Sequence, residues 1–321
     1  MYDIHRDGGW VYAYQTGGIC RKAKDAQRGG LHCHTTRSDG IAAPEEIIDL
    51  YAESGYDFLA LTDIRFYNRK NYVPEGRITI IPGMEFDATF EGGWEKEDYG
   101  FRSFHTVSIG PDDGSNGILQ DQRFASGEVT GQEGYQPYLD WFHENNNLTI
   151  YCHPQWSGTP VRYFEKMNGN FAIEVWNSAS AREYGMDTNA AYWDELLEQG
   201  HRIFGVAVDD AHSQEDCCKG WVMVRSGSTV TEILAALKEG RFYSSCGPVI
   251  KDFYVEEGTA CLDCSPCSSI QFLSGCQPTK VFRGERLTHV ELELPWKYHY
   301  IRASVVDGQG RRAWTNPIFL N

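Results

Sequence analysis

Seven short segments of the chain contain or end in residues that can hold a metal ion: LHCHTTRSDG (31–40), LALTDI (59–64), IPGMEF (81–86), FHTVSIG (104–110), IYCHPQ (150–155), IEVWN (173–177) and VAVDDAH (206–212). In an extended chain side chains alternate with a period of two, so His32-Cys33-His34 projects two imidazoles to one side, and such a pair can chelate one ion. Glu85 can bridge two cations, one carboxylate oxygen to each. His105, His153, Asp210 and His212 add nitrogen and oxygen donors, a mixed set that suits Zn, Mn, Fe or Co better than Ca or Mg. Taken singly, each residue has a plainer reading: a histidine inside a strand is more often structural, and Asp210-Ala211-His212 could be a helix cap and its neighbour. Their recurrence at successive strand ends is the pattern expected when parallel strands deliver their C-terminal ends to one polar site. It points to a metal-dependent hydrolytic centre.

The elements that must position these donors alternate along the chain. Pro44 stands at a first helical position, PEEIIDLYAES carries apolar residues at helical spacing, and Gly55 closes it. DFLALT (57–62) is a continuous apolar run of the kind buried in a parallel sheet. ITIIPG (78–83) and SFHTVSIG (103–110) read as strands, PYLDWFHENN (137–146) as a helix before LTIYCH (148–153), and FAIEVW (171–176) as a strand before helical NAAYWDELLEQG (189–200). RIFGVAV (202–208) and WVMV (221–224) are further strands. VTEILAALKEG is a helix opened by Thr229 and Glu232 at capping-box spacing and closed by Gly240. Strand–helix alternation over about 220 residues predicts an α/β barrel; segment 87–135, rich in Gly, Asp and Glu, reads as insertion and loop. After CGPV (246–249) only short β-type runs follow, with DGQG (307–310) as a hairpin signal. The expected organisation is therefore an extension over 1–27, a barrel over 28–248 and a small antiparallel β-sandwich over 249–321. A strand is also expected at WVYAY (10–14).

Composition narrows the partners. The 321 residues carry 45 acidic against 29 basic side chains, a formal charge of −16. A field of that sign repels nucleic-acid polymers and anionic membranes, while a small phosphorylated substrate remains compatible because bound metals reverse the local sign. No stretch approaches the ~20 apolar residues that span a bilayer. The N-terminus shows no basic-then-apolar leader, and the ten cysteines are scattered through strand-like segments. Both features suggest a cytoplasmic protein with reduced thiols. Cys261, Cys264, Cys267 and Cys276 lie close together, but spacings of three in an extended chain turn successive thiols to opposite faces, so free thiols are expected there rather than a metal site.

The ordered motifs LHCHTTRSDG, LALTDI, IPGMEF, FHTVSIG, CHP and DDAH resemble those of the PHP (polymerase and histidinol phosphatase) family over about residues 28–248. The resemblance implies a distorted seven-stranded (β/α)7 TIM-like barrel. It also implies ligand sets: His32, His34, Glu85 and Asp210 for a first metal; Glu85, His105 and His153 for a second, with Glu85 bridging; and Asp39 and His212 for a third, with a histidine from the family's T-D-H motif. Here that motif reads Thr62-Asp63-Ile64, and isoleucine has no lone pair to donate. Two divalent transition-metal ions (Mn, Fe or Zn) are the expected cofactors, with a third position in doubt. Asp63 is expected to orient a ligand histidine.

The implied activity is hydrolysis of a small phosphate ester by a metal-activated hydroxide, with Glu85 bridging the metals and Asp39 or His212 protonating the leaving group. Arg37, Arg65 and Arg182 fall by topology at the mouth as candidate phosphate holders. Glu174 and Asn177 line the site either as substrate contacts or as an orienting hydrogen-bond pair. Two alternatives stand beside this reading: a catalytically weakened binding or regulatory module, and a hydrolase acting on an amide or lactone.

Overall fold

The computed structural model describes residues 26–73, 77–90, 102–118, 122–187, 189–295 and 297–320. The strand expected at 10–14 lies outside these residues. Two compact units share the described chain, 26–246 and 247–320.

In the larger unit the elements follow in the order β1 (Ala26–Gly30), α1 (Pro44–Glu53), β2 (Phe58–Ala60), β3 (Thr79–Ile81), β4 (Gly83–Phe90), β5 (Ser103–Ile109), β6 (Gly127–Val129), α2 (Gln132–Glu144), β7 (Leu148–Tyr151), β8 (Asn170–Asn177), α3 (Ser178–Tyr184), α4 (Asn189–Glu198), β9 (Phe204–Val208), β10 (Trp221–Arg225), α5 (Val230–Lys238) and β11 (Phe242–Ser245). The helices arise where the sequence signals them. Pro44 opens α1. Thr229 caps α5 in a reciprocal box with Glu232. Helix α2 starts five residues before the expected Pro137, which it carries inside its first turns. The short α3 had no periodic signal; Asn177 caps it by accepting from the Ser180 amide at 2.9 Å.

The strands form two sheets, ordered β11-β10-β1-β2-β3 and β6-β4-β5-β7-β8-β9. Continuous apolar runs arise because both faces of a strand are covered. Phe58 and Ala60 join one buried cluster, with Val107, Ile150, Val206 and Val222, whereas Leu59 and Leu61 join another, with Ile47, Ile48 and Tyr51 of α1.

Two departures from the expected barrel matter. Among the described residues no single sheet closes into a barrel. Strand β5 also runs antiparallel to both β4 and β7, so not every donor arrives on the C-terminal end of a parallel strand. At the site end, however, isolated bridges tie the sheet edges together: Cys33 pairs with Ala211 and Ile64 with Glu85, both in parallel sense. Short extensions past β1 and β9 thereby pair with each other and the extension past β2 meets β4, just where the ligand-type residues sit. Among the described residues no helix is long and apolar enough to cross a membrane.

The smaller unit is antiparallel β, without a helix among its described residues. It comprises β12 (Ile250–Glu256), β13 (Thr259–Leu273), β14 (Pro278–Glu293), β15 (Tyr300–Val306), β16 (Arg312–Thr315) and β17 (Ile318–Phe319). Strands β13 and β14 are far longer than the short runs the sequence suggests. Strand β13 passes straight through the cysteine-rich stretch and pairs with β12, β14 and β15. No group of three or more metal-type donors gathers in this unit among the described residues.

Candidate metal centre

Four side chains from three separate segments converge: the ligand atoms of His32, His34, Glu85 and Asp210 all lie within 4.8 Å of one another, and all four residues are buried. His32 and His34 leave the end of β1 on the same side, their Nε2 atoms 3.1 Å apart. Asp210 follows β9 and places Oδ1 2.9 Å from His34 Nε2 and 3.2 Å from His32 Nε2. Glu85, third residue of β4, divides its two oxygens. Its Oε2 lies 3.4 and 3.3 Å from the Nε2 atoms of His32 and His34. Its Oε1 lies 2.8 Å from His105 Nδ1 and 3.1 Å from His153 Nε2.

The imidazoles are aimed by partners behind them. His32 Nδ1 donates to Glu174 Oε1 at 2.6 Å, and the other Glu174 oxygen accepts from the His153 amide and from Asn177 Nδ2, each at 2.9 Å. Asn177 also donates to Asp210 Oδ2 at 3.0 Å. Glu174 and Asn177 are fully buried and hydrogen-bonded to His32, His153 and Asp210. His153 Nδ1 sits 3.1 Å from Ser157 Oγ, a partner four residues on that carries no sequence signal. Asp63, expected behind a histidine, instead accepts from the amide and hydroxyl of Thr35 and from Ser38 Oγ and Asn68 Nδ2, at 2.7–3.0 Å. It pins the loop after His34 and reaches that imidazole only through Ser38, whose Oγ is 3.4 Å from His34 Nδ1. Asp209, next to Asp210, accepts from Tyr51 Oη at 2.6 Å and from the amides of Cys218, Lys219 and Gly220 at 2.7–2.9 Å. Burial nonetheless raises its pKa to about 6.

Backbone strain concentrates on the same segments. Arg65, His153 and Asp210 have φ of 56°, 24° and 51°. Non-glycine residues rarely adopt such values, and they persist only where the surroundings over-determine them.

A second group sits at the rim. His34, Asp39 and His212 also place ligand atoms within 4.8 Å of one another. His212 stacks on His34 with centroids 4.2 Å apart, donates from Nδ1 to the Asp210 carbonyl at 2.8 Å and holds Nε2 3.5 Å from Asp39 Oδ2. Half-buried Ile64 lies beside Glu85 in the ladder and offers no donor.

Electrostatics describe a site that requires positive charge. Burial opposes the charged forms of His32, His153, Glu85 and Asp210. Asp210, Glu85 and Glu174 nevertheless raise the His32 pKa well above its ordinary value, and His153 is also raised. Against the same burial penalty, His32 and His105 hold Glu85 well below the carboxylate range, and His32 and His34 do so for Asp210. A pair of buried carboxylates facing imidazole nitrogens is stable only with protons or cations between them. The donor set, mixed nitrogen and oxygen at mutual ligand distance, fits divalent transition metals.

Each of the three arginines expected at the mouth has partners in the structure. Arg182 bonds Asp216 Oδ1 through Nε at 2.6 Å and Glu183 through Nη2 at 2.8 Å, anchoring the 212–216 loop. Arg65 holds Nε 3.1 Å from Asp87 Oδ1. Arg37 lies over the Phe66 ring at 4.1 Å and donates to Tyr72 Oη at 2.7 Å. Asp87, two residues after Glu85 and so on the same face of β4, lies opposite His105 in register; the spacing of two is its only signal in the sequence. Cys152 lies in the CHP motif beside His153. It is buried, with its sulfur in ligand range of Glu85 and His153 on one side and of His32 and Glu174 on the other.

No protein-family model matches the chain, and no curated protein does. Solved structures similar to it include a two-domain protein containing a predicted PHP-like metal-dependent phosphoesterase from Bacteroides vulgatus ATCC 8482, at 13% identity and TM-score 0.48 over 94% of this chain and 96% of that one. A candidate metal-dependent phosphoesterase from Bifidobacterium adolescentis ATCC 15703 aligns at 12% identity and TM-score 0.37 over 58% of this chain and 88% of its own. An amidohydrolase from Chromobacterium violaceum aligns at 15% identity and TM-score 0.41 over 67% and 96% respectively.

Proposed function

We propose that the chain is a metal-dependent hydrolase acting on a small phosphate ester. The carrying observation is Glu85, whose two oxygens face two different imidazole pairs, His32/His34 and His105/His153. That is the arrangement a carboxylate bridging two cations requires. His32, His34, Asp210 and Glu85 would hold one ion, and Glu85, His105 and His153 the other. Two such ions, Mn, Fe or Zn, supply Lewis acidity and a water acidic enough to attack at neutral pH.

The chain's own groups do the rest. Glu174 fixes His32 in the tautomer that turns Nε2 inward, and Asn177 ties that carboxylate to Asp210. His212, pushed up to about 10 chiefly by Asp39 and Asp210 against its burial, is protonated at neutral pH. Its Nδ1–H is committed to a backbone carbonyl, leaving the Nε2 proton at the rim beside Asp39 for the departing oxygen. Arg37, with its guanidinium over the Phe66 ring and Nη1 donating to Tyr72 Oη, follows the first ligand pair closely in the chain and is a candidate holder of the phosphate.

A second reading, hydrolysis of an amide or lactone, draws support from the pairing of Arg65 with Asp87 and of Arg182 with Asp216. Two of the three expected phosphate holders thereby carry neutralised charge. The test is turnover of an aryl phosphate, a phosphodiester and an amide by protein reconstituted with Mn, Fe or Zn. Chelator-sensitive cleavage of the monoester is expected; preferential amide cleavage would select the second reading. Protein that binds none of these metals would refute both and leave a binding module.

A further inference from the structure

The cysteine-rich part of β13 holds a contact that its spacing argues against. Asp263 stands opposite His289 and Cys267 opposite Leu287, so residues 264–266 of β13 face the single Thr288 of β14. This wide bulge turns the backbone and brings Cys264 and Cys267 to the same side, their sulfurs 3.8 Å apart. Both thiols point at the Leu287 carbonyl oxygen, at 3.9 and 3.3 Å, and both residues are almost wholly buried. No third donor joins them among the described residues, so the pair lacks the ligands of a zinc or iron–sulfur site. What two apposed thiols can do without a third partner is bond to each other.

We propose that Cys264 and Cys267 are a thiol–disulfide site, oxidised by exchange with a low-molecular-weight disulfide. A disulfide requires sulfurs about 2.05 Å apart, which rotation of the two side chains within the bulge can supply. Among the described residues strand β14 pairs with β13 alone, and their ladder breaks on both sides of Cys267, between Asp263 and Cys267 and again between Cys267 and Ser269. Edge strands open locally at such breaks, which admits a small reagent. One cysteine, as thiolate, attacks a sulfur of R–S–S–R and expels RS⁻. The neighbouring cysteine, losing its proton, then displaces the second RS⁻ from the mixed disulfide. The protein gives up two protons and two electrons, and the reagent is reduced to two RSH. Bridging 264 to 267 closes a small loop within β13 itself.

The experiment incubates the folded full-length protein with oxidised glutathione, then denatures it and alkylates with N-ethylmaleimide for intact-mass and peptide analysis. Two fewer adducts than the ten cysteines allow, a linked 264–267 peptide and recovery of both sites with dithiothreitol are the expected result. In Cys264→Ser and Cys267→Ser proteins, the remaining partner should instead retain glutathione as a mixed disulfide. Full alkylation of Cys264 and Cys267 after incubation, or linkage of either to another cysteine, overturns the proposal.

Discussion

Glu174 shows how one carboxylate can set the geometry of a site it does not enter. One oxygen aims His32 and the other ties the His153 amide to Asn177 and, through it, to Asp210. Glu174→Gln keeps the size and loses the charge, so the His32 imidazole becomes a poorer donor. Affinity for Mn or Zn should fall about 10–100-fold with the circular dichroism unchanged; a competition titration against a fluorescent chelator reads this directly, and unchanged affinity would show that the pair is only structural. His212 belongs to the rim and to proton transfer. His212→Asn should lower kcat for alkyl phosphates about 10²–10⁴-fold while sparing aryl phosphates, whose leaving groups need no proton. For the unaltered protein the alkyl-ester rate should decline as pH rises towards about 10, where His212 loses its proton. Equal losses on both ester types would remove the acid role.

At the scale of elements, the loop from His34 to Gly40 is held by close packing as much as by hydrogen bonds. A Cβ on Gly40 would lie 2.6 Å from the His34 carbonyl carbon and 2.7 Å from both the His34 oxygen and the Thr35 nitrogen, all backbone atoms that cannot turn away. Gly40→Ala should therefore destabilise the protein by about 1–3 kcal/mol and displace Asp39 from His34. Urea unfolding measures the first effect and metal affinity the second, and a fully stable variant would show the loop to be free to shift. Strand direction is the other element-scale lesson. The run SFHTVSIG announces a strand, but its direction against β4 and β7 is not written in its own residues. An apolar run has the same period in a parallel or an antiparallel ladder; the pairing partners decide.

For the whole molecule, a buried centre of carboxylates and imidazoles links stability to pH and metal. Glu85 and Asp210 have lowered folded-state pKa values, so their stabilisation is present above the usual carboxylate range and lost as pH falls through their folded values. His32 and His153 are raised, so theirs is complete below about 6.5 and lost as pH rises through their folded values. Chelator-treated protein should thus melt at progressively lower temperature from neutral to alkaline pH. Protein with Mn or Zn should not, because metal replaces those protons; identical melting curves would separate the cluster from metal binding. The sequence by itself determined which residue types could serve as ligands, their order along the chain, the caps of α1 and α5 and the change to β structure after residue 246. Only the tertiary structure decided that Glu85 splits its oxygens between two imidazole pairs, that Glu174 backs His32 and that Arg65 and Arg182 are tied to carboxylates. It also decided that Cys264 and Cys267 touch. The reason is range: local periodicity reports a side chain's face within its own strand or helix, whereas His32 and Glu174 are 142 residues apart and His34 and Asp210 are 176. Their meeting depends on strand register, bulges and bridges that no single segment encodes.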